Sequence, residues 1–348
     1  MRIRILPAKE LSADLISTWS ALQAGNASLD SPFFAPQFTQ LIGQTGSNAF
    51  VAVIEEGARI AGFFPYQTEW GGRAIPIGAY MNEFNGVIGA NDLAWDPREF
   101  LRKARLERLN FELMLAQQTA FAPFSAARHD SPCIHLTQGY EAYRAQNRES
   151  GSNLFPQTES RLRRLEREVG PIRFEEHTTD AGLLKTFFQW KSAQYRATGK
   201  TDIFASEDSW PHHVVRLCLQ AAVPGMGGIF STLHAGDRFI AGHLGLRSAT
   251  VLNNWFPAYD HEFDRYSPGS VLMLEILKRA SNMGINRIDL GWGPAGYKDR
   301  LKNGNIELSK GMVQRFALKW YLRRAAGSLR DKVKNAFSRR TEEAACKS

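Results

Sequence analysis

Sulfur is scarce in this chain. Three cysteines, Cys133, Cys218 and Cys346, stand far apart in 348 residues, with no Cys-x-x-Cys and no pair of histidines at zinc-helix spacing. An odd, scattered set argues against a disulfide framework and a structural metal, and reduced thiols fit the cytoplasm. No apolar run approaches the ~20 residues of a membrane helix, and the opening MRIRILPAKELSAD lacks the long apolar stretch of a secretion signal. A Gly-x-Ser-x-Gly segment is also missing, which argues against a serine-elbow hydrolase. The expectation is a metal-free protein of the cytoplasm.

What is abundant is positive charge. The formal net charge is +8, and Arg315, Lys319, Arg323, Arg324, Arg330, Lys332, Lys334, Arg339 and Arg340 crowd the C-terminal segment against Asp331. Within Phe316 to Ser338, Leu322, Leu329, Val333 and Phe337 fall near one helical face, and Trp320 and Tyr321 suit a water–lipid boundary. This pattern predicts a basic amphipathic helix over 315–348. Either it lies on an anionic membrane as a peripheral contact, or it packs on the body with its charges in water. No motif predicts a specific nucleic acid partner.

The length suits about two domains of ~100–200 residues. In the first part, residues 2–6 alternate as an edge strand would, Leu11 to Ala24 read as a helix, and Pro36 opens a short one through Leu41. Ala49 to Ile54 and Arg59 to Gln67 are strands joined at Glu55-Glu56-Gly57, a hairpin signal. A basic helix over Pro97 to Leu109, a buried strand over Phe111 to Leu115 and a strand over Cys133 to Leu136 complete it. Gly139 to Glu149 is a linker helix, and Gly151-Ser152-Asn153 marks a boundary between 1–150 and 151–314. After it come a charged helix (Ser160 to Val169), a strand (Ile172 to Glu175), a helix (Ala181 to Ala197), a second (Trp210 to Leu219) and a hairpin (Gly228 to His234, Arg238 to Leu246).

The most informative stretch follows. Val251 to Phe256 reads as a strand, Tyr266-Ser267-Pro268-Gly269-Ser270 breaks it, and a helix begins, with Ser267 as its cap and Pro268 in its first turn. Gly284 ends the helix, Arg287 to Leu290 is a short buried strand, and Leu308 to Val313 adds a last one. A strand, a tight loop and a helix start can hold an anion on free backbone N–H groups.

The run YSPGSVLMLEILKRASNMGINRIDLGWGPAGYK resembles the signature of the CelD/BcsL-type acetyltransferases, members of the GNAT superfamily related to the FemAB peptidyltransferases. The resemblance implies an α/β (α+β) fold of two tandem GNAT-like domains, with mixed, mostly antiparallel sheets flanked by helices, the N-terminal one degenerate. It implies acetyl-CoA or another acyl-CoA as co-substrate and a small-molecule amine acceptor. The acceptor would be a sugar or an exopolysaccharide or cell-envelope precursor. The pyrophosphate would rest on Ser267, Pro268, Gly269, Ser270 and Val271, and the oxyanion on a backbone N–H of Trp255 or Phe256. Tyr297 would be the general acid, and Lys298 would face an anionic group. Lys191 and Gln194 fit a substrate-side Lys-x-x-Gln, and Asn82 and Glu83 lie in a polar patch facing the cleft between halves.

Two more residues come from the sequence itself. His243, between small neighbours on a strand, is a candidate base. Asp289, ending a strand, is a candidate to orient Tyr297, Lys298 or the amine. The alternatives are an aminoacyl-tRNA-dependent transferase and a non-catalytic binding subunit of polysaccharide synthesis.

Overall fold

The computed structural model describes residues 1–46, 48–221, 225–293 and 296–316. The C-terminal helix expected over 315–348 thus lies, beyond Phe316, outside the described residues.

The first half contains β1 (Arg2–Pro7), α1 (Ala13–Ala24), α2 (Pro36–Gln44), β2 (Ala49–Glu56), β3 (Arg59–Glu69), β4 (Arg73–Pro76), β5 (Ile88–Gly89), α3 (Pro97–Lys103), β6 (Arg108–Leu115) and β7 (Ser125–His135). The second begins with α4 (Gly139–Glu149) and α5 (Leu154–Glu168). It continues with β8 (Ile172–Glu175), α6 (Ala181–Ala197), α7 (Trp210–Gln220), β9 (Gly227–Ala235), β10 (Arg238–Arg247) and β11 (Val251–Tyr259). It closes with α8 (Pro268–Ala280), β12 (Arg287–Asp289), α9 (Gly296–Leu301) and β13 (Gly304–Gln314).

The order of elements repeats: strand, two helices, three antiparallel strands, helix, parallel strand, final strand. The two copies share one sheet, ordered β1-β2-β3-β4-β6-β13-β7-β12-β11-β10-β9-β8. β4 runs parallel to β6, as β11 does to β12; the other pairings along this path are antiparallel. The final strands are exchanged between halves: β7 pairs with β12, and β13 pairs with β6. β7 and β13 also pair with each other from Gly304 beside Cys133 to Gly311 beside Ser125, which places a pseudo-two-fold axis between them.

Apolar runs explain why both faces are covered. Val51, Ala52, Val53 and Ile54 are all fully buried, so β2 is sandwiched on both sides. On one face α1, α2, α6 and α7 lie over one core that spans the halves and includes Trp19, Phe38, Phe187, Phe230 and Trp255. On the other face α4, α5 and α8 cover the second half, and α3 covers the first. Asp180 caps α6 by accepting the N–H groups of Gly182 (2.7 Å) and Leu183 (2.9 Å).

One helix is shorter than its sequence suggests. The basic segment from Pro97 stops at Lys103, because Arg105 takes a left-handed φ of 57° and Arg108 already starts β6. There the apolar Leu109 and Phe111 face a buried layer with period two instead of extending a helix.

The halves are also tied by polar contacts. Trp210 donates to Thr45 (2.7 Å), and Trp255 donates its indole N–H to the carbonyl of Met81 (2.9 Å). Arg287 is paired with Asp30 of the first half (2.6 Å) and with fully buried Asp289 (2.7 Å). Removing one partner of a buried ion pair strands the other charge. Arg287→Leu is therefore expected to lower unfolding free energy by roughly 3–5 kcal/mol in urea titrations. A loss below about 1 kcal/mol would show that Asp289 finds water or a proton instead.

Candidate active site

β11 is the strand on which the site is built. It pairs with β12 only over Val251 to Asn253 and then departs. On its other edge the register against β10 shifts between Leu246↔Asn253 and Leu244↔Phe256, so Asn254 and Trp255 together oppose Gly245. A bulge of this kind turns the strand and removes backbone groups from the ladder.

Beside the bulge lies a cleft of about 320 Å³. Its walls include Gln194 of α6, His243 of β10, Asn254 and Pro257 of β11, Ser267, Gly269 and Ser270 at the start of α8, and Tyr297 of α9. Leu154, Phe155 and Thr158 of α5 close another side.

The start of α8 differs in detail from the expectation. Ser267 sits in a left-handed conformation (φ 50°, ψ 60°) and makes no side-chain cap. Its N–H donates to Asp264 (2.9 Å), and its carbonyl takes the N–H groups of Ser270 (2.9 Å) and Val271 (3.2 Å). Pro268 has no N–H. Of the five residues expected to cradle a pyrophosphate, Gly269 alone keeps its amide uncommitted among the described residues. A Cβ on Gly269 would sit in van der Waals contact with the Tyr259 ring at 3.5 Å, without clash.

In the first half the equivalent opening is filled. Asn85 bridges to Met114, donates to the carbonyl of Leu113 (2.7 Å) and accepts from Leu115 (2.9 Å), so the chain itself occupies the gap beside β6. α3 begins with Asp96, whose carboxylate accepts the N–H of Arg98. A carboxylate there repels the anion that a helix start would otherwise attract.

The segment that fills the first opening also supplies the second site. Glu83 reaches across and accepts a hydrogen bond from Asn253 of β11 (2.9 Å). Gly291, with φ 77°, lies against it, and a Cβ there would come within 2.6 Å of the carboxylate, so a larger residue would be strained and would displace Glu83. Burial pushes Glu83 up to about 7, against the lowering pull of Asn253 and Lys298. Lys191, buried on α6, donates to Gln194 (2.9 Å) and to the carbonyl of Pro257 (3.0 Å). Burial, with Lys200 and Lys298 nearby, pushes it down to about 7. Both groups therefore stand where protons exchange near neutrality.

Other predicted residues take different positions. Tyr297 lines the cleft and receives a long contact from Asn254 (3.5 Å); burial and then Glu83 push its phenol up to about 12, so it keeps its proton. Lys298 donates to the carbonyls of Gly291 (2.8 Å) and Trp292 (3.3 Å), so it braces that loop rather than standing free for a substrate anion. Asn82 donates to Ile77 (2.9 Å) and accepts from Phe84 (2.8 Å), which makes it a support for the turn carrying Glu83.

Asp289 is taken up by Arg287 and hydrogen-bonds neither Tyr297 nor Lys298. His243 is buried, and burial pushes it down to about 4 against the raising effect of the Asn253 backbone, too low to hold a proton taken from an amine. The side chains of Trp255 and Phe256 point into the aromatic core, which leaves their backbone N–H groups as the part of these residues that the expectation concerns; Asn254 and Pro257 line the cleft beside them.

Asn253, Asn254 and Arg287 carry roles that the sequence reading left out. Two adjacent asparagines inside an apolar strand were the available signal, since buried amides need partners.

Against this geometry, residues 140–299 match the family model described as Acetyltransferase (GNAT) domain. No curated protein matches the sequence significantly. Among solved structures, FemX aligns over 92% of this chain and 99% of its own at 9% identity and a TM-score of 0.57. The C-terminal domain of a putative lysylphosphatidylglycerol synthetase from Agrobacterium fabrum aligns over 91% and 96% at 13% identity and 0.54. A tandem GNAT protein from the clavulanic acid biosynthesis pathway aligns over 90% and 99% at 9% identity and 0.50. Match and fold define the resemblance: residues 140–299 are similar to a GNAT acetyltransferase domain, and the whole chain shares its doubled fold with these solved structures.

The Glu83 environment has a stability consequence. A carboxyl whose pKa rises from 4.5 to about 7 on folding costs nothing below the unfolded value and its full penalty above the folded one. That penalty is about 2–3 kcal/mol, trimmed because Glu83 keeps some contact with water. Glu83→Gln is expected to raise the thermal midpoint at pH 8 and leave it unchanged near pH 4.5. An equal shift at both values would mean the carboxyl is not held neutral by the fold.

Proposed function

We propose that this protein is an acyl-CoA-dependent N-acyltransferase that moves an acetyl or other acyl group from the thioester to an amine acceptor in the cytoplasm. The CelD/BcsL-like signature supports a sugar or an exopolysaccharide or cell-envelope precursor as that acceptor. One observation carries the reading. The bulge at Asn254–Trp255 stands beside the cleft that leads to Gly269 and is flanked by Glu83, bonded to Asn253, and by buried Lys191, bonded to Pro257. A thioester entering from α8 and an amine entering between the halves would meet at that bulge.

In this reading the acceptor ammonium first gives a proton to Glu83. The neutral nitrogen attacks the thioester carbonyl, forming the C–N bond, and a backbone N–H freed at the bulge receives the oxyanion. Collapse breaks the C–S bond. Tyr297 protonates the thiolate and takes back the proton that the nitrogen sheds. Lys191, oriented by its bond to Gln194, donates to the strand carbonyl of Pro257 and so fixes the acceptor side of the bulge.

An aminoacyl-tRNA donor is the second reading, supported by the likeness in fold to FemX. The tests separate the two. Calorimetry with acetyl-CoA is expected to show binding by the parent and a loss of roughly tenfold or more in Gly269→Val, whose side chain would crowd the Gly269 amide and the Tyr259 ring beside it. Equal affinity in both would remove the α8 site. Absence of any acetyl-CoA binding by the parent, with acyl transfer from charged tRNA, would favour the second reading.

A further inference from the structure

Trp70 has no place in the chemistry above, and it is fully exposed, whereas Trp19, Trp95 and Trp255 lie in the core. It stands in the turn between β3 and β4, followed by Gly71 and Gly72 with left-handed φ values of 77° and 69°. A Cβ on Gly71 would meet nothing within 4 Å, so the turn projects into open space. Leaving a whole indole in water on a tight, ordered turn forgoes burial that the rest of the chain obtains.

The surroundings of this turn are defined by the sheet. Arg73, Arg108 and Gln314 are neighbours across β4, β6 and β13. The carbonyl of Gly72 accepts the N–H of Glu107 (2.8 Å), and the carbonyl of Glu107 accepts that of Arg315 (2.9 Å). Two strand spacings, about 10 Å, therefore separate the Trp70 turn from the point where β13 ends. Phe316, 44% exposed, stacks with the Arg315 guanidinium there (4.9 Å). Among the described residues, Arg105, Arg108 and Arg315 have no carboxylate within ion-pair distance; the acids beside them are Glu107 and Glu69, the latter paired with Arg73. The next 32 residues, 317–348, bring nine Lys and Arg against three Asp and Glu, so six of the eight excess charges enter the chain at this corner.

We propose that this corner of the sheet, with the Trp70 turn, docks on an anionic phospholipid bilayer. The indole enters the water–lipid boundary, and the basic segment that starts beside it supplies the electrostatic attraction. An indole on a projecting tip suits that boundary, because its ring prefers the apolar side and its N–H the wet side. Basic residues clustered within a Debye length of the surface concentrate the protein on anionic lipid. The earlier expectation placed this contact in the tail alone. The folded body contributes its own anchor.

The test uses the full chain and vesicles, either equal parts phosphatidylglycerol and phosphatidylcholine or phosphatidylcholine alone. The parent is expected to float with the anionic vesicles and not with the neutral ones. Trp70→Ser is expected to weaken flotation roughly tenfold, with an unchanged thermal midpoint and unchanged acetyl-CoA binding. Brominated lipid is expected to quench tryptophan fluorescence in the parent and less in Trp70→Phe. Equal flotation of parent and Trp70→Ser with equal quenching would overturn the role of the turn, and no flotation of the parent would overturn the membrane. Loss of self-association in Trp70→Ser on sedimentation, with vesicle binding unchanged, would assign the indole to a second copy of the chain and overturn the proposal as well.

Discussion

β7 and β13 run side by side at the middle of the sheet, each paired on both edges with strands of the other half. β7 is the last strand of the first half yet borders β12, and β13 is the last strand of the second yet borders β6. Neither half can close its sheet without the other. That mutual closure sets the distance between β11 and the segment around Glu83. It also accounts for the single core on one face, where helices of both halves meet over Trp255 and Phe33. The doubled fold is thus one cooperative structure, and its cleft has the rigidity of a shared core rather than of a hinge between domains.

The halves have diverged by division of labour. In the first, the opening beside β6 is sealed by Asn85 and the helix start is guarded by Asp96. In the second, both features are open: β11 leaves β12, and Gly269 offers an amide to solvent. The sealing segment then carries Glu83 into the open site, braced by Asn82 behind it and Asn253 before it. A carboxyl and an ammonium, Glu83 and Lys191, are brought near neutrality in one place by the same cause, the removal of water. The protein accepts that cost where proton exchange is useful.

Much of this was legible beforehand. The helix over Ala181 to Ala197, the hairpin after Ala49 and the Ser-Pro-Gly loop followed from periodicity, turn residues and the position of proline. The exchange of β7 and β13 was not legible, because strand partners far apart in sequence leave no local pattern. Ser267 misled because serine before proline resembles a cap, whereas its left-handed backbone leaves its hydroxyl out of the helix. Asp289 and His243 looked chemical by residue type. Arg287 neutralises the first and burial silences the second, and both causes reside in tertiary packing. Glu83 was placed in the cleft by resemblance, but its raised pKa comes from burial against segments such as Gly291 that lie more than 160 residues away.

The central claim is that one half lends the other a carboxyl held near neutral pH. Isotope-edited infrared spectra of the glutamate carboxyl, taken as parent minus Glu83→Gln, follow that group alone through a pH titration. The protonated band should disappear with a midpoint near 7, and the midpoint should move higher in Asn253→Ala, which removes the hydrogen bond that favours the ionised form. A midpoint near the ordinary 4.5, unmoved by Asn253→Ala, would contradict it.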